Sequence, residues 1–270
     1  MLPASGNPIS MSQINTEFLR SSTAAIQLKK AEDGDYGTLN HGFVGNGSSP
    51  YSMSEFYSYQ HLNFPQGGSI VDLWDARTGA DGSNWESVYG NDTNMSVSGA
   101  TYNSSAPNNF FFDGTNDQVS TDDSVTLGTG WTIAIWLRHT GGQSSSHERI
   151  FGMSGYQFEF AEDTGDKTKV YDGGNWASID PVIDGPGWQH IVFTFTDGSP
   201  KELKVYEDST LLNTYDEGRE IPDDSITLGA KEGNGENWSG EIGQFILWNR
   251  VLSSGEISSL WGYDKGYYDE

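Results

Sequence analysis

From Ser69 onward apolar and polar positions alternate with period two, the pattern of strands that bury one face. Ile70–Trp74 reads as a first strand, and the polar, Gly-rich stretch 75–94 as a loop. Phe110–Asp117 reads as strand, turn, strand, and Trp131–Leu137 as a buried strand. Arg149–Gly152 and Tyr156–Phe160 follow, the second with clean alternation. Lys167–Tyr171, Trp188–Phe195, Lys201–Glu207 and Ser225–Leu228 continue the series. Turn dipeptides punctuate it at Asp113-Gly114, Asp172-Gly173, Asp197-Gly198 and Asn234-Gly235. Short strands with such punctuation predict a mostly β chain folded as a β-sandwich. A short helix is predicted to begin at Ser253 or Ser254 and to include Glu256, Ile257 and Leu260. Residues 263–270 read as an acidic, Tyr-rich tail.

The N-terminal stretch has a different texture. Ile9-Ser-Met-Ser-Gln-Ile14 and Tyr51-Ser-Met-Ser-Glu-Phe56 repeat one phrase, and each reads as the start of a helix. Ser10 and Ser52 occupy N-cap positions, with Gln13 and Glu55 three residues later completing capping boxes. Ile9 with Ile14, and Tyr51 with Phe56, form hydrophobic staples. Met11, Ile14 and Phe18 share one face of the first helix. Helices this short are marginal alone. Residues 1–65 are therefore expected to be an attachment and oligomerisation module. Its apolar positions Ile9, Ile14, Phe18, Tyr51 and Phe56 would be buried against neighbouring copies or a partner. The sandwich is expected over 66–262.

Composition sharpens this division. The chain has 270 residues, 34 glycines, 13% aromatics and a formal net charge of −24. Such a charge repels nucleic acid and anionic membranes. There is no cysteine. No basic segment followed by an apolar one opens the chain, so no secretory signal is expected, and no apolar run approaches transmembrane length.

Several segments resemble the LamG-like, concanavalin A-like jelly-roll family. They are Phe112-Asp-Gly-Thr-Asn-Asp-Gln-Val119, Trp131-Thr-Ile-Ala-Ile-Trp136, Trp188-Gln-His-Ile-Val-Phe-Thr-Phe195 with Leu203-Lys-Val-Tyr206, and Trp238 through Ile257. They run in the family's order over about residues 68–262. Gly240 and Gly243 would allow close backbone approach on the final strands. The Ile-Ser-Met-Ser phrases are similar to modules at the front of tail-fibre-like and other virion structural proteins of tailed bacteriophages. Together the resemblances imply a virion protein assembled in the host cytoplasm, with a displayed jelly roll that binds a host-surface glycan. Its partners would be other virion proteins and copies of itself, with a trimer the first expectation. A purely structural capsid or tail decoration protein, and a polysaccharide depolymerase, stay open as alternatives.

The candidate chemistry is sparse. Glycoside hydrolysis needs two carboxylates across a cleft. Glu159 lies in an alternating strand with no E-x-D-x-E pattern around it, so it reads as an outward polar residue and no enzyme is expected. His41, His61, His139, His147 and His190 show no metal-ligand spacing, and His190 reads as a core residue. Asp113, Asn116 and Asp117, and separately Asp72, Asp75 and Asp81, are loose acidic groups that match no calcium loop. No cofactor is predicted, and calcium is left open. Sugar binding needs an aromatic face beside polar groups. Trp176, at the tip Tyr171-Asp-Gly-Gly-Asn-Trp176, is the leading platform, with Asp172 and Asn175 beside it. Trp85, in a Gly/Asn/Asp loop, is the second, and Trp238 reads as structural.

Overall fold

The structure is a computed structural model and describes residues 69–91, 93–140, 147–153, 158–163, 167–171, 176–179, 183, 187–215, 224–231 and 235–268. The strands are β1 (Ile70–Asp75), β2 (Asn84–Trp85), β3 (Tyr89–Gly90), β4 (Met95–Ser98), β5 (Thr101–Asn103) and β6 (Asn109–Asp113). Next come β7 (Gln118–Thr121), β8 (Gly130–His139), β9 (His147–Met153), β10 (Glu159–Asp163), β11 (Lys167–Tyr171) and β12 (Trp176–Ile179). The series ends with β13 (Gln189–Thr196), β14 (Glu202–Glu207), β15 (Thr210–Tyr215), β16 (Ile226–Leu228) and β17 (Ser239–Trp248), followed by helix α1 (Ser254–Tyr268).

The strands form two antiparallel sheets. One runs β15-β14-β13-β8-β17-β1-β3, with β6 also on β17 and β5 on β6. The other runs β12-β11-β10-β9-β16-β7-β4-β2. The alternation at Trp131, Ile133 and Ile135, and at Ile191, Phe193 and Phe195, turns these side chains into the space between the sheets. There they meet Phe151, Phe158 and Phe160 from the opposite sheet, with Phe160 and Phe193 at 4.9 Å between ring centroids. This is the β-sandwich that the strand series predicts.

The stretch 75–94, expected as a loop, contains β2 and β3, because Trp85 turns inward and pairs through its backbone with Met95. The acidic tail expected at 263–270 is helix through Tyr268. Ser253 caps α1: its Oγ accepts from the Glu256 amide at 3.3 Å, and Glu256 Oε2 accepts from the Ser253 amide at 2.8 Å. Ile257, Leu260, Asp264 and Tyr268 form the buried face of α1. Tyr268 stacks on Trp136 and leans on Trp188, on the outer surface of the nine-stranded sheet. Gly243 makes room for this: an added Cβ would lie 2.5 Å from the Tyr268 ring. Gly240 does the same for Trp238, at 2.2 Å. Both are the close approaches expected of these glycines.

Candidate functional site: a polar row and a buried acidic pocket

Two adjacent registers cross the eight-stranded sheet. In one, Val97, Val119, Leu228, Phe151, Phe160 and Val170 stand opposite one another from β4 to β11 and line the core. In the other, Asn84, Ser96, Ser120, Thr227, Gly152, Glu159, Tyr171 and Trp176 stand opposite one another from β2 to β12. Successive residues of a strand point to opposite faces, so from Asn84 to Tyr171 this second row belongs to the sheet's outward side. Its first half is a ladder of hydroxyls, with Ser120 Oγ and Thr227 Oγ1 at 3.0 Å. Glu159 follows, paired with Arg149 Nη2 at 3.1 Å, and the same guanidinium reaches Glu236 at 2.8 Å. Burial raises the Glu159 carboxyl above its usual range, Arg149 opposes the shift and Glu236 adds to it. The row ends on Tyr171, with Trp176 in register beside it. Thr227, Arg149 and Glu159 are buried, while Ser96, Ser120 and Tyr171 keep exposed surface and supply hydroxyls and an aromatic ring of the kind sugar rings require.

A second constellation lies on the inward side. Glu148 of β9 and Glu162 of β10 are direct cross-strand partners, and both are fully buried. His139, from the end of β8 in the other sheet, faces them, its Nδ1 3.4 Å from Glu162 Oε1. Trp238 Nε1 donates to Glu162 Oε2 at 3.1 Å. One ligand atom from each of His139, Glu148 and Glu162 falls within 4.8 Å of the others. The histidine spacing gave no hint of this, because the three residues come from three strands. A bulge at Ile150 also breaks the alternation: Ile150 and Phe151 both turn inward, which returns Arg149 to the outer face and Glu148 to the inner one.

The remaining expected positions divide four ways. Trp85 presents no face to solvent: it is fully buried, with its ring 4.8 Å from Phe110, and acts as a core residue. Trp238 and His190 are buried, as expected of structural residues. The acidic groups weighed for calcium are engaged locally. Asp117 accepts from the Asp113 amide, Asp72 from Ser87 and Thr93, Asp75 from Arg77, and Asp81 from the amides of Ser83 and Asn84. Asp172 and Asn175 lie outside the described residues, as do Ile9, Ile14, Phe18, Tyr51 and Phe56 with the rest of the expected 1–65 module.

A jelly-roll sandwich with a polar row along one sheet is a lectin-like architecture. Residues 113–258, more than half of the chain, match the concanavalin A-like lectin/glucanases superfamily, and the protein belongs to that superfamily. No curated protein matches by sequence. Among solved structures, a Trypanosoma rangeli sialidase in complex with the inhibitor DANA is similar at 20% identity and a TM-score of 0.56, over 73% of this chain and 33% of the sialidase. A botulinum neurotoxin type C structure, concerned with cell entry through two ganglioside molecules, is similar at 14% identity and a TM-score of 0.58, over 73% and 51% of the two chains. The binding domain of botulinum neurotoxin DC in complex with SialylT is similar at 13% identity and a TM-score of 0.57, over 73% and 52%. The chain thus spans about a third of the sialidase and about half of each toxin chain.

Proposed function

We propose that the protein is a non-enzymatic virion component of a tailed bacteriophage, assembled in the host cytoplasm, whose sandwich binds a host-surface glycan. The observation that carries this reading is the polar row, which runs from hydroxyls through Arg149 and Glu159 to Tyr171 and Trp176 in a lectin-superfamily domain. The similar folds of a neurotoxin whose cell entry depends on two ganglioside molecules, and of a neurotoxin binding domain in complex with SialylT, favour a glycan ligand. Residues 1–65 anchor the protein and hold copies together, as a trimer in the first instance, so that weak single sites gain avidity. The absence of catalysis is supported by placement. Glu148 and Glu162 are enclosed between the sheets, and Glu159 is held by Arg149, so none of these three stands free across a cleft from another carboxylate.

The test is a Trp176→Ala variant measured for both thermal melting and glycan-array binding. An aromatic platform contributes about 1–3 kcal/mol to a sugar contact. Binding is therefore expected to weaken by about 5- to 150-fold, with the melting temperature within a few degrees of the parent. Undiminished binding by the folded variant removes the row's aromatic end from the site. No glycan binding by the parent chain favours the decoration-protein alternative, and release of reducing sugar from host polysaccharide favours the depolymerase.

A further inference from the structure

The buried trio His139, Glu148 and Glu162 has no part in glycan recognition, since it lies on the core side of the sheet whose outer side carries the row. We propose that it is a site for one divalent transition-metal ion, zinc or manganese in class, which ties the end of one sheet to the other. Three observations support it independently of the glycan reading.

The first is geometry. Two ligand atoms bound tetrahedrally at about 2.0–2.1 Å from a metal stand about 3.3 Å apart. His139 Nδ1 and Glu162 Oε1 are 3.4 Å apart. The trio's ligand atoms all lie within 4.8 Å, so Glu148 completes the set by a small side-chain adjustment.

The second is the state of the imidazole. The His139 side chain is 9% exposed, and its buried Nε2 has no hydrogen-bond partner. Coordination goes through Nδ1, the nitrogen beside the Glu162 carboxylate, and leaves Nε2 as it is. The support is that a nearly buried ring from one sheet is held with Nδ1 against carboxylates of the other.

The third is charge and donor type. Like charges directly opposed across a strand pair repel, and burial strengthens the repulsion. A divalent ion between the two carboxylates relieves that repulsion. One nitrogen and two carboxylates suit zinc or manganese; calcium takes six to eight oxygens and magnesium retains several waters. The supporting groups fit as well. All three ligands sit on strands, and Trp238 Nε1 orients the second oxygen of Glu162, as outer partners of ligating carboxylates do.

The test uses the full chain, stripped with a chelator and titrated calorimetrically with Zn²⁺, Mn²⁺ and Ca²⁺, with thermal melting in parallel. One equivalent of Zn²⁺ or Mn²⁺ is expected to bind more tightly than Ca²⁺. At a hundredfold excess over its dissociation constant it should raise the melting temperature by about 5 °C or more. His139→Gln and Glu148→Gln should each weaken this binding at least tenfold. Glu162→Gln also disturbs the Trp238 contact, so the first two variants decide the matter if it fails to fold. Absence of a saturable single equivalent overturns the site. So does binding that survives in both folded variants, which would assign the ion to the acidic surface of a chain carrying −24. Tighter binding of Ca²⁺ than of either transition metal overturns the metal class.

Discussion

Trp136 and Tyr268 stack with ring centroids 4.6 Å apart and planes 17° from parallel, joining a central strand to the last described turn of α1. Trp188 also packs against Tyr268 at 4.8 Å, tilted by 48°, and Arg138 lies over the Trp188 ring at 5.2 Å. The outer surface of the nine-stranded sheet is thereby covered at this point by the helix. The contact is apolar in character, because the Tyr268 hydroxyl is buried without a hydrogen-bond partner and burial raises its pKa well above the usual range.

This separates the ring from its hydroxyl. Tyr268→Ala removes a fully buried aromatic and is expected to cost about 3–5 kcal/mol. Tyr268→Phe keeps the stack and deletes an unsatisfied group, so it should be neutral or stabilising by about 1 kcal/mol. Urea unfolding of both variants checks this through the midpoint at constant m-value. Equal destabilisation by the two would mean that the hydroxyl has a role in holding the helix.

His190 supplies a pH dependence whose sign is fixed. It is fully buried beside Trp136, and neither ring nitrogen has a partner. Burial lowers its pKa from 6.5 to about 3. Above pH 6.5 both folded and unfolded chains hold a neutral ring, and nothing is lost. Between 6.5 and about 3 the unfolded chain takes up a proton that the folded chain refuses, so stability falls as pH falls. The slope approaches about 1.4 kcal/mol per pH unit. In His190→Phe this component should vanish, and the difference between variant and parent should grow steadily toward acid. A difference that stays flat from pH 7 to 4 would show that His190 titrates normally.

The sandwich was legible because period-two alternation reports burial directly: Trp131, Ile133, Ile135, Ile191, Phe193 and Phe195 all lie where the pattern sends them. Three other features were beyond such a reading. Tyr268 and Asp264 look like members of an acidic tail, since Asp264 is buried only in company with Arg77, 187 residues away. The polar row begins with Asn, Ser, Thr and Gly, which carry little hydropathy signal, and it exists only once the strands are in register. The metal trio needs the Ile150 bulge to bring Glu148 inward, and a bulge breaks the very alternation from which strands are read. Trp85 failed for the opposite reason: its Gly/Asn/Asp neighbours are exposed while it alone is buried.

Asp264 leads to the last expectation. Arg77 donates through Nε to Asp75 at 2.8 and 2.9 Å, and through Nη1 to Asp264 at 2.6 Å. Gln244 Nε2 bridges the same two carboxylates at 3.2 and 3.1 Å. Both aspartates are fully buried, so the helix is held to β1 and β17 by one guanidinium serving two acids. Removing one partner of a buried pair leaves uncompensated charge, and Arg77→Met should cost about 3–5 kcal/mol at pH 7. Burial already raises the Asp264 carboxyl above 3.8 despite the opposing Arg77 charge, and loss of that charge raises it further. A raised folded-state pKa means stability that is present in acid and lost as pH rises through that value. The defect of Arg77→Met relative to the parent should therefore shrink as pH falls toward 4, opposite in direction to the His190 effect. Asp264→Asn in the same background should relieve part of the defect at pH 7, because it removes one of the two buried charges. Denaturant midpoints of the single and double variants at pH 7 and pH 5 measure this directly. A defect that is independent of pH and unrelieved by Asp264→Asn would mean that Arg77 acts through packing, with its aliphatic stem and its approach to the Tyr267 ring, 4.9 Å from the guanidinium, supplying the contact.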